Sequence, residues 1–248
     1  MMESMTILDA SHPSDYSDWL SIWSEWPDRE VFAHPDYVNL YVRKDDRAVC
    51  AVQKNSAGLI LLPMVLRPLA VEPWAGMGNE FYDLVAPYGY GGPYFSGEPD
   101  LTEFWRNFQQ WAIAQNIISA FFRFSPFAAD ITGLIDSVDS SGGNVIRSLA
   151  EGQEGIWKDY KHAVRTCVRF AEMNDVTVIF DERGERLPTF IQLYYQTMNR
   201  CHAAPQYYFP QEFFQRIVMN LQGQFFFSFA VYQGQEIAGK LVLNSREH

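Results

Sequence analysis

Apolar residues recur along this chain in two rhythms, and the alternation between them predicts the order of elements. Spacing of three and four marks Ser14–Trp26 as a helix, with Tyr16, Trp19, Leu20 and Trp23 on one side. A second helix is predicted from His34 to Arg43. Strand-like runs are Thr6–Asp9, Arg47–Lys54, Gly58–Leu66 and Phe81–Ala86, and the middle two form a hairpin across the turn Asn55–Gly58. Asp100 and Glu103 then offer a capping box for a helix whose apolar positions are Leu101, Phe104, Trp105, Phe108, Trp111 and Ala112. A strand at Ile117–Phe124, a helix at Pro126–Asp136 and a strand at Asn144–Leu149 complete the first half, giving the order βααβββαβαβ.

The second half opens on a long amphipathic helix, Gly155–Met173, whose apolar side carries Ile156, Tyr160, Ala163, Val164, Cys167, Val168 and Ala171. On that continuous helix Lys158, Lys161, His162, Arg165 and Arg169 form one basic stripe. Strand Val176–Phe180, helices Leu187–Cys201 and Gln211–Leu221, and the hairpin Phe225–Tyr232/Glu236–Leu243 follow. This repeats the opening βααββ of the first half. The pattern predicts an α/β (α+β) fold with a mixed sheet, divided into residues 1–150 and 151–248.

Composition narrows the classes. At 248 residues with 48% hydrophobic content, the chain can bury a core, and its net charge of −11 argues against a generally basic nucleic-acid-binding surface. Cys50, Cys167 and Cys201 are odd in number and far apart, which fits a reducing, cytoplasmic setting rather than a disulfide framework. The most apolar run, 58-GLILLPMVL-66, is too short to span a bilayer. No P-loop, G-x-S-x-G elbow, H-E-x-x-H or C-x-x-C occurs, and the histidines lack metal-ligand spacing. Gly76-Met-Gly78 reads as a turn. Cys201-His202 invites a thiol-protease reading, but adjacent helical residues point in different directions, and the pair reads instead as a buried thiol near a helix end.

The densest chemistry lies in 81-FYDLVAPYGYGGPYF-95, which joins three glycines and two prolines to Tyr88 and Tyr90. Such a loop is either a surface turn with its rings packed beneath, or a ligand site in which Gly allows close approach and Tyr supplies walls and hydroxyls. The basic stripe is likewise either a solvated helix face or a phosphate-binding surface.

Three segments carry a family resemblance: Asp83 with 87-PYGYGGP-93 after 59-LILLPMVLRPL-69, then 157-WKDYKHAVRTCVRFAEMNDVTV-178, then 190-FIQLYYQTMNRCHAAPQYYF-209 with Phe213 and Phe214. Together they resemble the FemAB-like proteins, tandem-domain members of the GNAT acyltransferase superfamily. The resemblance implies one complete GNAT-like unit and a partial second unit, cut after its third strand. It further implies attack of an acceptor amine on an activated acyl or aminoacyl donor, an acyl-CoA or an aminoacyl-tRNA, with no metal. The acceptor would be a small molecule or a cell-wall (peptidoglycan) precursor, and tRNA would be a partner in the aminoacyl case.

Candidate roles follow. Asp83 would orient or deprotonate the amine, and Tyr88 and Tyr90 would hydrogen-bond a carbonyl, a leaving group or a sugar. Arg200, Tyr207 and Tyr208 would contact an anionic ligand, and Lys158, Lys161, Arg165 and Arg169 would hold phosphate. For each tyrosine, core packing with a satisfied hydroxyl is the alternative. The alternative for the whole protein is a non-catalytic module that holds an anionic or sugar ligand. If the second unit does stop after its third strand, Glu236–Leu243 presents an open edge, with Ile237, Gly239, Leu241 and Leu243 on one face, through which copies would self-associate.

Overall fold

The computed structural model describes residues 4–76, 80–125 and 143–245. The chain divides into two units, Met1–Asp139 with Asn244–His248, and Ser140–Leu243. Both are mixed α/β, and among the described residues no helix is long and apolar enough to cross a membrane.

The first unit contains β1 (Thr6–Asp9), α1 (Pro13–Glu25), α2 (Pro35–Asn39), β2 (Arg47–Lys54), β3 (Gly58–Pro68), β4 (Tyr82–Val85), β5 (Tyr94–Gly97), α3 (Leu101–Ala114) and β6 (Ile117–Phe121). Its sheet runs β1-β2-β3-β4-β6, antiparallel except for the parallel β4/β6 pair, and β5 also pairs with β3. Residues of β2 alternate between two cores. Ala48, Cys50 and Val52 join Trp19, Ile22, Trp23 and Trp26, whereas Val49 and Ala51 join Phe104 and Phe108 of α3. Strands covered on both faces need no polar alternation, so β2 and β3 read as continuous apolar runs.

Local chemistry sets the element ends. Asn55 Oδ1 accepts from the backbone N–H of Ala57 and Gly58, closing the predicted hairpin. Asp100 Oδ1 accepts from Glu103 N at 2.9 Å and caps α3 as expected. The second helix is shorter than predicted and stops at Asn39. Beyond it Asp46 gathers the Arg43 N–H and guanidinium and imposes a turn before β2.

Two departures from the expected order follow, the first in this unit and the second at the start of the other. The loop after β4 does not lead directly into a helix. It returns to β5, which lies in the same lane along β3: β4 faces Val65–Pro68 and β5 faces Gly58–Leu61. The gap falls at Leu62–Met64. Leu61 O lies against Gly92 on this side of β3, and Pro63, two residues on, turns its nitrogen the same way and has no N–H to donate. The lane breaks there, and Ala86–Pro93 bows out of it. The second departure is at Asn144–Leu149, expected as a strand. Residues 143–148 are irregular, Val145 is fully exposed, and Arg147 forms ion pairs with Glu151 and Asp159 instead. The helix expected at Pro126–Asp136 and positions 77–78 of the predicted turn lie outside the described residues.

The second unit holds α4 (Gly152–Asp159), α5 (His162–Met173), β7 (Thr177–Asp181), α6 (Leu187–Arg200), α7 (Gln211–Asn220), β8 (Phe225–Tyr232) and β9 (Gln235–Leu243). The single helix predicted over Gly155–Met173 is broken, because Tyr160 is extended and α5 begins anew at His162. Arg165 explains the break: its Nη1 donates to the carbonyls of Lys158 and Tyr160 and caps the end of α4. The sheet is β7-β8-β9, all antiparallel. Phe225, Phe227 and Phe229 pack their buried face against Phe190 of α6, itself 5.4 Å from Phe214 of α7. Gly239 leaves room for the Phe229 and Phe190 rings. Leu243, Leu241 and Gly239 lie opposite those three phenylalanines, but a bulge near Val231 puts Ile237 out of register, and it is 52% exposed. Strand order and directions in β7-α6-α7-β8-β9 match those in β1-α1-α2-β2-β3.

Candidate functional site

Where β4 and β6 end, the chain leaves a cavity of about 330 Å³ lined by Tyr41, Arg43, Asp46, Val65, Arg67, Val85, Ala86, Pro87, Tyr88, Phe121 and Arg123. The sheet itself positions these groups. Arg67 stands directly opposite Asp83 in the β3/β4 register, and its Nε and Nη2 donate to the two carboxylate oxygens at 2.8 and 2.5 Å. This pairing holds the Arg67 guanidinium above its usual pKa. Arg43 is held the same way by Asp46 and Glu72, at 2.8 Å each. Tyr41 is half-buried at the cavity edge with its hydroxyl 3.2 Å from that of Tyr37. Burial pushes the Tyr41 hydroxyl up to about 12, so it stays neutral and able to donate.

The glycine-rich loop answers both readings at once. Gly89 adopts φ +99° and sits against the Phe32 ring; a Cβ at Gly91 would meet Ala86, and one at Gly92 would meet Leu61 O. All three glycines therefore serve close packing within the unit. Tyr90 follows them inward, its ring edge-on to Phe32 at 5.7 Å and its carbonyl accepting from the Tyr94 hydroxyl. Tyr88 goes the other way. Its carbonyl accepts from Tyr37 Oη at 2.6 Å, while the residue is 57% exposed, its ring under the Arg123 guanidinium at 5.7 Å. The backbone of Arg123 is fixed in turn: Gly91 N donates to its carbonyl at 2.6 Å, and Phe124 bridges to Gly91.

Of the residues singled out in the sequence, Tyr88 lines this cavity, Asp83 stands behind it on Arg67, and Tyr90 packs away from it. The others lie in the second unit. Lys158 is on α4 and Lys161 precedes α5, Arg165 is committed to capping α4, and Arg169 stacks over Trp157 at 5.7 Å. The helix break thus divides the basic stripe. Arg200 ends α6, and Tyr208 donates to Asn199 Oδ1 at 3.1 Å. Tyr207 is 48% exposed, and its carbonyl accepts from the Tyr194 hydroxyl. Cys201, expected to be buried, is exposed.

Tyr41, Arg43, Arg67 and Arg123 were not singled out in the sequence. For Arg67 the signal was present, a charged residue in a strand otherwise apolar on both faces. Arg123 carries no such mark, since only the parallel pairing of β4 with β6 brings it to Tyr88. No protein-family model matches the chain, and no curated protein matches it in sequence.

Proposed function

We propose that this protein is an N-acyltransferase of FemAB-like, tandem GNAT-like organisation, and that the cavity lined by Tyr88 and Arg123 seats one of its two reactants. The observation that carries this reading is the position of the cavity. It opens where the parallel pair β4/β6 ends, at the loop that the resemblance assigns to ligand binding. The shared strand order of β1-β2-β3 and β7-β8-β9, each with two helices after its first strand, supports the tandem organisation. In this reading the first unit binds and orients. Tyr88 and Tyr41 offer hydroxyls, Arg123 offers charge, and the apolar walls of Val65, Val85 and Phe121 keep water from one side of the ligand.

A second reading, a binding module without turnover, is favoured by one specific observation. Both carboxylates nearest the cavity, Asp46 and Asp83, are engaged by arginines, so neither stands ready to take a proton from an attacking amine. Mass spectrometry separates the two. The full chain, incubated with a panel of acyl-CoA donors or aminoacyl-tRNA and a panel of amine acceptors, should yield an amide product. Ligand binding without any amide from any pair would replace the enzyme with the binding module.

A further inference from the structure

Resting on the reading that the cavity seats a reactant, we infer that this reactant is a small organic monoanion, a carboxylate on a partly apolar body, bound through Arg123. Of the three arginines lining the cavity, Arg43 is engaged by Asp46 and Glu72, and Arg67 is engaged at two nitrogens by Asp83. Arg123 has no carboxylate within 4.0 Å among the described residues. Among the described residues its guanidinium interacts with the face of Tyr88 and Arg123 is exposed, which leaves the guanidinium edge, where its donors point, to a ligand. One guanidinium edge matches one carboxylate.

Size and walls complete the description. The cavity, about 330 Å³, is at the lower end of ligand sites, which run from about 300 to 1,000 Å³. Val65, Val85, Ala86, Pro87 and Phe121 would surround an apolar or amide-bearing body, not a second charged group. The site's backbone is also built in advance. The Arg123 carbonyl accepts from Gly91 N and the Tyr88 carbonyl from the Tyr37 hydroxyl, so little backbone ordering remains for the ligand to impose.

Hippurate, with one carboxylate, one amide and one ring, is a suitable probe, and its neutral amide is the control. In NMR titrations of the full chain, hippurate should shift the amides of Ala86, Tyr88 and Phe121–Arg123 saturably, with hippuramide at least about tenfold weaker. Arg123→Gln should weaken hippurate by a similar factor, and Arg123→Lys should restore part of it. A parallel titration with acetyl-Gly-Gly-Phe distinguishes sources: tighter binding than hippurate assigns the carboxylate to a chain end, and weaker binding assigns it to a free small molecule. Equal affinity for hippurate and hippuramide, indifference to Arg123→Gln, or no saturable shift in these segments would overturn the inference. No donor is present in this titration. A negative result therefore leaves acyl transfer to its own assay, and a positive one without transfer points to the binding module.

Discussion

His34 shows how a single side chain can tie this fold to pH. It is buried beside Trp23, its ring edge-on at 4.4 Å, and its Nδ1 accepts from Asp36 N at the start of α2. Burial pulls its pKa from 6.5 to about 4, against the opposing pull of the Asp36 carboxylate. The fold therefore prefers the neutral ring. The stability this contributes is fully present above pH 6.5 and is lost as pH falls toward 4, by up to about 3 kcal/mol. Urea denaturation between pH 7 and 4 should show this slope, and His34→Asn, which can still accept from Asp36 N, should flatten it. Asp83 is the second informative residue. Its ion pair with Arg67 is only partly shielded, with Arg67 34% exposed, so Asp83→Asn should cost about 1–2 kcal/mol. A variant that loses transfer at unchanged stability would instead restore Asp83 as the proton acceptor.

Element ends in the second unit depend on carboxylate and guanidinium caps. Asp181 closes β7 and receives backbone N–H bonds from Arg183, Gly184, Glu185 and Arg186 as the chain enters α6. Burial raises its pKa, but these four donors outweigh that and bring it below the usual value. Asp181→Ala should destabilise this unit by about 2 kcal/mol, read by urea denaturation followed through a probe in α6. The wild-type contribution is present above pH 4 and fades as pH falls through the lowered pKa. Much of this level was legible in the sequence. The Asn55–Gly58 turn, the Asp100 cap and both hairpins follow from local chemistry that tertiary context did not override. The missed features have physical reasons. Pro63 inside an apolar strand was a readable sign that the neighbouring lane must break, yet β5 depends on a pairing across the gap. The α4/α5 break depends on Arg165 reaching back to carbonyls, which amphipathic spacing cannot reveal. The cavity needed the parallel β4/β6 register, a non-local fact.

At the scale of the whole molecule, protection from solvent should be uneven. β2 and β3 lie between two cores, whereas β6 and β9 are edges among the described residues. Hydrogen exchange should be slowest at Val49–Val52 and Ile60–Leu62 and much faster along Gln235–Lys240. Val178 and Phe180 lie exposed on the face of β7 opposite the buried phenylalanines, and among the described residues β7 is itself an edge of this sheet, across β8 from β9. Concentration-dependent self-association is expected from such an edge and face, and Phe180→Lys should suppress it in sedimentation velocity without lowering stability. Ligands are expected to meet this protein in the first unit, at the mouth of the β4/β6 cavity, and not along the basic residues of α4 and α5. Hydrogen exchange on the full chain, with and without the panel of donors and acceptors, tests it directly. New protection is expected at Ala86–Tyr88 and Phe121–Arg123. Protection confined to Lys158–Arg169, with none at the loop, would contradict it.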